Sequence, residues 1–212
     1  MYKSILKAGI DEFIEKRSRF IGYSFFVESE EEALQKIDEI KEKHRDATHN
    51  CWAYIIGQEG LIQRYSDDGE PQGTAGVPIL EVLKKEELRN TVIIVTRYFG
   101  GTLLGAGGLV RAYSKGAAIS IDAAGRVVRK SFLLRKLKYD YTNHGKILNH
   151  LLKKGYTVLK EEYSDKVEIY LHDEKDSSLT EELMDMTGGN VEIENLKEDI
   201  LPTVNKKIIY EV

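Results

Sequence analysis

A short β-branched run, Thr91-Val92-Ile93-Ile94-Val95-Thr96, meets Arg97-Tyr98-Phe99 and then five glycines within nine residues, Gly100, Gly101, Gly105, Gly107 and Gly108. The run is too apolar for a half-solvated strand and reads as one buried on both faces. A helix is predicted next, from about Leu103 to Ala124. Glycine lets backbone N–H groups point at a ligand, and the start of a helix favours an anion. Arg111 and Lys115 fall one helical turn apart on one face. Like charges at that spacing repel mildly, so an anionic partner would relieve them. Arg97 with Tyr98 and Phe99 sets a cation beside stacking surfaces, the combination used for nucleic acid. The plainer alternative is packing. Gly107 and Gly108 inside a helix cost roughly 1 kcal/mol each against alanine, which a close backbone contact would explain. Contact with a protein is the third alternative. Known phosphate motifs do not fit: the third glycine of G-x-G-x-x-G is missing, and no G-x-x-x-x-G-K-[ST] occurs.

Composition bounds the remaining choices. The 212 residues are 42% hydrophobic and 31% charged, with a net charge of −4. That is a soluble, core-forming chain with room for two domains. A globally basic nucleic-acid binder is excluded, but a local basic patch is not. Residues 1 to 135 carry 20 Lys/Arg and 19 Asp/Glu, whereas residues 136 to 212 carry 11 and 16. The shift, with glycine concentrated in the first part, suggests domains at 1–133 and 136–212. One cysteine, Cys51, rules out an internal disulfide and fits a reducing cytoplasm. No apolar run approaches the roughly 20 residues of a membrane span, and no secretory signal is evident.

Along the first part, Phe20 to Val27 alternates as a strand. Ser29 caps a helix, with Glu32 completing a capping box. Cys51 to Ile56 is a strand, Gly57 to Gly60 a hairpin turn into residues 61–65, and Gly76 to Leu88 a short helix. Residues 126–138, with six cations and no acid, read as the join between domains leading into a strand. The second part gives the order β-α-β-β-α-β of a ferredoxin-like unit, with Ile208, Tyr210 and Val212 alternating at its end.

Two further clusters bear titratable groups. Asp67, Asp68 and Glu70 could hold a divalent cation or serve as acid and base, yet Asp, Gly and Pro are also turn formers. The segment does not match EF-hand spacing. His44-Arg45-Asp46-Ala47-Thr48-His49-Asn50-Cys51 could in principle build a Cys–His nucleophile. A lone thiol opening a strand is more simply packing, and His49 is expected to bond the loop that follows. No catalytic residue, resident metal or cofactor is assigned.

Gly76-x-x-Ile79-Leu80, Leu83, Leu88 and Ile94-Val95-x-Arg97-Tyr98-Phe99-Gly100-Gly101-x-x-Leu104-Gly105 resemble the signature of the IMPACT family, whose bacterial members are called YigZ-like. Asp67-Asp68-Gly69-Glu70-Pro71-x-Gly73-Thr74-Ala75-Gly76 and Thr48-His49-Asn50-Cys51 resemble its other segments. The resemblance runs from about residue 10 to 125, and the tail is similar to the small C-terminal domain of bacterial members. It implies an α+β fold of two domains. The first would resemble domain IV of elongation factor G and a small-subunit ribosomal protein, a βαβ fold with a left-handed crossover. The second would resemble domain V of that factor, ferredoxin-like. Eukaryotic members are translational regulators that bind the activator of an initiation-factor kinase.

The expectation is a cytoplasmic, non-catalytic binding protein linked to translation, with RNA or the ribosome as partner and no membrane contact. Arg97, Tyr98 and Phe99 would stack and pair. Arg111 and Lys115 would touch phosphates, and Gly100, Gly101, Gly105, Gly107 and Gly108 would bring backbone donors close. The alternatives are a metal-dependent hydrolase of peptides or phosphoesters using Asp67, Asp68 or Glu70 near His49, and a protein-docking module in translation control.

Overall fold

The computed structural model describes residues 1–210, so Val212, the end of the expected C-terminal alternation, lies outside the described residues. The chain forms two compact units, one of Met1–Arg129 joined by the stretch from Pro202 onward, the other of Lys130–Leu201.

The first unit is built on a five-stranded antiparallel sheet. Its strands are β2 (Gly9–Glu15), β3 (Ser18–Phe26), β4 (His49–Ile56), β5 (Ile62–Ser66) and β6 (Thr91–Tyr98), in the order β2-β3-β6-β4-β5. Strand β6 lies in the middle, so its residues from Thr91 to Arg97 are all buried. Side chains alternate across a strand, and β6 uses both faces. Val92 and Ile94 pack with Ala33, Ile37 and Ile40 of α1 (Glu30–Lys43). Ile93 and Val95 pack with Ile79 and Leu83 of α2 (Gly76–Lys85) and with Tyr113, Ala117 and Ile121 of α3 (Ala106–Ala124). The result is helix, sheet, helix pair in three layers, each large apolar side chain contributing roughly 1.5–3 kcal/mol on burial.

Local chemistry sets the helix ends. The Ser29 hydroxyl accepts from Glu32 N at 3.1 Å, and Glu32 Oε2 accepts from Glu28 N at 2.7 Å, one residue before the N–H that a capping box would use. Helix α3 starts at Ala106 rather than near Leu103, because Gly101 and Gly105 both hold positive φ. It then lies unusually close to the sheet. A Cβ added to Gly22 would sit 2.1 Å from Gly116 O, and one on Gly116 would sit 2.8 Å from Val95 Cγ1. The tight helix–sheet contact that the packing alternative placed at Gly107 and Gly108 is made instead by Gly9, Gly22 and Gly116. A Cβ on Gly107 would meet only the Arg111 side chain, at 3.6 Å.

The second unit takes β7 (Arg126–Tyr139), α4 (Tyr141–Lys154), β8 (Val158–Tyr163), β9 (Val167–Asp173), α5 (Leu179–Thr187) and β10 (Val191–Val204). Its strand order is β10-β7-β9-β8, the ferredoxin-like arrangement that the element order predicts. Leu137, Ile169 and Leu171 meet Ile147, Leu151 and Leu183 of the two helices in its core. Strands β7 and β10 begin or end in the first unit. There β1 (Tyr2–Ile5) pairs β7 from Tyr2↔Arg129 to Ile5↔Arg126, and β11 (Lys207–Ile208) pairs β10. The basic stretch 126–138, expected as a join, is therefore regular strand throughout.

Gly22→Ala is expected to lower the stability of the first unit by about 3 kcal/mol, because a methyl group meets backbone rather than a movable side chain. Gly107→Ala, with open space, is expected to be neutral or stabilising. Urea unfolding followed by Trp52 fluorescence measures both.

Candidate functional site

Two residues past Val95, the same face of β6 carries Arg97, and the period of two drives it inward. Arg97 is only 5% exposed. Its Nη1 donates to Glu70 Oε1 at 2.7 Å and its Nη2 to Ser18 Oγ at 3.3 Å. Tyr113 Oη donates to the same Glu70 oxygen at 2.6 Å. The rings of Phe20 and Phe99 lie 5.5 and 5.4 Å from its guanidinium carbon, within cation–π range. The expectation that Arg97 presents its charge to a ligand is corrected by this geometry. Arg97 and Glu70, assigned from sequence to separate sites, form one buried ion pair. Tyr98, on the opposite face, is half-buried, and Phe99 keeps 46% of its surface.

The acidic loop folds around its own backbone. Asp67 Oδ1 accepts from Ala75 N (3.0 Å) and Gly76 N (2.8 Å), and Oδ2 from Gly73 N (2.8 Å). It thereby caps the start of α2 from nine residues upstream. Asp68 accepts from Asn50 N at 2.7 Å and from Lys41 Nζ at 3.0 Å. His49 Nδ1 donates to Asp68 O at 2.8 Å, which leaves Nε2 facing Glu70 Oε2 at 3.8 Å. His49 thus bonds the following loop, and its other nitrogen turns toward the ion pair. All three loop carboxylates are engaged internally. Among the described residues, no three His, Cys, Asp or Glu side chains are grouped to hold a metal ion. Cys51 Sγ donates to Asp67 O at 2.9 Å, and burial pushes its thiol well above the ordinary range, the opposite of an activated nucleophile.

The glycine-rich turn is placed differently. Gly101, Gly105 and Gly107 are exposed, and Gly100 and Gly108 are half-exposed. Gly100 is required by a close approach, since an added Cβ would sit 2.0 Å from Arg17 C and O. The turn between β2 and β3 therefore lies directly against the glycine-rich segment. Arg111 and Lys115 are exposed on α3, with Lys115 Nζ 4.2 Å over the Phe13 ring. Lys16 and Arg17, at the tip of the β2–β3 hairpin, are exposed as well. Among the described residues, no acid forms an ion pair with any of these four cations. Several other exposed cations of the unit do pair, including Lys3 with Glu87, Arg19 with Glu12, Lys84 with Glu81 and Arg126 with Glu86, while among the described residues Lys7, Lys43 and Lys85 form no ion pair but are not gathered about this cleft. A cleft of about 200 Å³ separates α3 from β2 and is lined by Phe13, Leu104 and Gly108, by the cations Lys16, Arg111 and Lys115, and by one carboxylate, Glu15. Lys16 and Arg17 carry no sequence signal of their own. Their spacing from Arg111 closes only through the fold.

On the opposite, α1-covered side of the sheet His44 lies between two tyrosines. Tyr98 Oη donates to Asp46 Oδ1 at 3.1 Å, so it accepts from His44 Nδ1 at 2.8 Å. His44 Nε2 then accepts from Tyr23 Oη at 2.6 Å. Burial, aided by Lys43, lowers the His44 pKa below its ordinary 6.5. A depressed histidine stabilises the fold above the unfolded-state pKa and loses that contribution as the pH falls below it, because the unfolded chain takes the proton more readily. The urea midpoint of the wild type is expected to fall between pH 7 and pH 5 more steeply than that of His44→Gln. Parallel curves would show that His44 does not carry the effect. Arg97→Met is expected to cost about 3–5 kcal/mol by stranding Glu70, and Glu70→Leu added to it should restore part of the loss. A double-mutant cycle in urea measures the coupling.

Comparison with known proteins places these features. Residues 16–121 match the Impact N-terminal domain, and residues 137–190 match a domain of unknown function (DUF1949). The chain is 43% identical over 209 residues to the IMPACT family member YvyE of Bacillus subtilis (strain 168), covering 98% of this chain and 95% of that protein. It is 42% identical over 103 residues to the IMPACT family member YigZ of Escherichia coli (strain K12), covering 48% and 50% respectively. The crystal structure of a hypothetical protein aligns with 92% of this chain and 97% of its own, at a TM-score of 0.58 and 26% identity. The buried Arg97–Glu70 pair, the Asp67 cap and the glycine-rich turn all fall within the first matched region, and the chain belongs to the IMPACT family.

Proposed function

We propose that the protein is a non-catalytic binding protein in translation, acting in the cytoplasm and contacting RNA or the ribosome through the surface around the glycine-rich turn. The observation that carries this reading is the grouping of Lys16, Arg111 and Lys115 about one cleft, with Arg17 next to Lys16 at the hairpin tip and no ion pair to any of the four among the described residues. Cations left without acids cluster where an anion is to be bound, and phosphate is the anion that several cations along a strip would track. Gly107 supports the same reading, since packing does not require it, whereas a Cβ on Gly108 would sit 3.0 Å from Leu104 Cβ. Phe99 adds one accessible aromatic face beside the turn. The link to translation comes with the family. The hydrolase alternative loses its basis in the loop, because Asp67 caps α2, Asp68 holds Asn50 N and Lys41, and Glu70 is taken by the buried pair.

The sheet of the second unit supports no rival nucleic-acid surface. On the face opposite its helices Lys136 pairs with Glu194 at 2.6 Å, Lys138 with Glu168 at 3.1 Å and Lys160 with Glu162 at 2.5 Å. That face neutralises itself.

Binding of a fluorescein-labelled oligoribonucleotide is expected to weaken steeply with salt. Arg111→Ala with Lys115→Ala should flatten the log–log slope by about 1.4, the loss of two phosphate contacts on a single strand. An unchanged slope would remove this surface from the function.

A further inference from the structure

The β2–β3 hairpin closes through two residues, Lys16 and Arg17, because Glu15 pairs with Ser18 in the register. Both sit at positive φ, 44° and 68°. A two-residue turn with both central residues left-handed is served most cheaply by Asn-Gly or Asp-Gly. Side chains with a Cβ are disfavoured there, and this chain places two long cations in succession. Neither makes a hydrogen bond or ion pair among the described residues, so nothing inside the molecule accounts for the choice. Backbone strain held at a surface, without local compensation, points to a role outside the fold. The position fits that role, for Gly100 is required to be bare by the approach of Arg17 itself.

We infer that the Lys16-Arg17 tip is the second jaw of a clamp whose other jaw is Arg111 and Lys115 on α3, and that the clamp takes single-stranded rather than double-helical RNA. This rests on the proposed function and names its ligand class. The cleft between the jaws is about 200 Å³, with cations on both walls. A cleft this small takes one sugar–phosphate strand between its walls, but not the paired strands of a rigid A-form helix, which proteins meet across its wide, shallow minor groove. Both faces of the Phe13 ring are taken, one by Phe20 at 5.2 Å and one by Lys115. Phe13 is therefore floor and not a stacking platform. Phe99, 46% exposed and held by Arg97 on one side, offers its free face to a base, which must be unpaired to use it.

The test uses the full chain with Lys16→Asn and Arg17→Gly combined, which removes two charges and supplies the favoured turn. Three measurements are made: thermal midpoint, affinity for a labelled 12-nucleotide single-stranded RNA, and affinity for the same RNA annealed to its complement. The expected result is a midpoint at or above that of the wild type with single-strand affinity lowered on the order of tenfold at 0.1 M salt. Wild type should prefer the single strand to the duplex. Single-strand binding that Arg111→Ala with Lys115→Ala weakens but the turn variant leaves intact would overturn the clamp while sparing the proposed function. Equal binding of the duplex would overturn the ligand class. Binding of neither RNA by the wild type would defeat the proposed function and this inference together.

Discussion

The first unit is organised around a charge brought inside. Arg97 stands near the C-terminal end of the central strand, where alternation directs it to the face covered by α2 and α3. Its pairing with Glu70 ties β6 to the loop that precedes α2. Tyr113 ties the same carboxylate to α3, and Ser18 ties the guanidinium to β3. Removing two charges from water is costly, so such a pair adds little net stability, but losing one partner alone is severe. What it supplies is specificity: one placement of the loop, α3 and the β2–β3 hairpin makes all of these bonds at once, while Arg97 Nε stays buried without a partner. The second unit has its own version. Arg135 and Asp173 pair in its interior, with Tyr156 donating to the same aspartate at 2.8 Å and Thr180 accepting from the arginine at 3.1 Å.

Much of the architecture was legible in the sequence wherever burial leaves a period. The β-branched run at 91–96, the capped helix after Ser29 and the six elements of the second unit each carry a single dominant repeat. Where the fold departs from expectation, the cause is tertiary. Apolar residues of β2 fall at 10, 13 and 14, a helical spacing, and only pairing with β3 makes them a strand. Arg97 looks like a surface cation because the strand's run of apolar residues ends before it. In fact β6 continues to Tyr98, and the acid that neutralises Arg97 lies 27 residues away.

The functional surface divides along the same line. Arg111, Lys115 and the glycines could be picked out as a group because one helix and its approach contain them. Lys16 and Arg17 could not, being separated from that helix by almost 90 residues of chain. The acidic loop shows the converse. Three carboxylates within four residues suggest a metal, yet each is used by backbone donors or by one buried arginine. Composition alone does not separate a ligand set from a capping set; the direction of the neighbouring N–H groups does.

Burial of the chain's sole thiol has a practical corollary. Cys51 is sealed in the core against the Asp67 carbonyl, so a thiol reagent reaches it only when this part of the molecule opens. The rate of alkylation of the unmodified protein is therefore a built-in clock for opening of the sheet. A cysteine introduced anywhere on the surface would be labelled long before Cys51, without any need to remove the native residue.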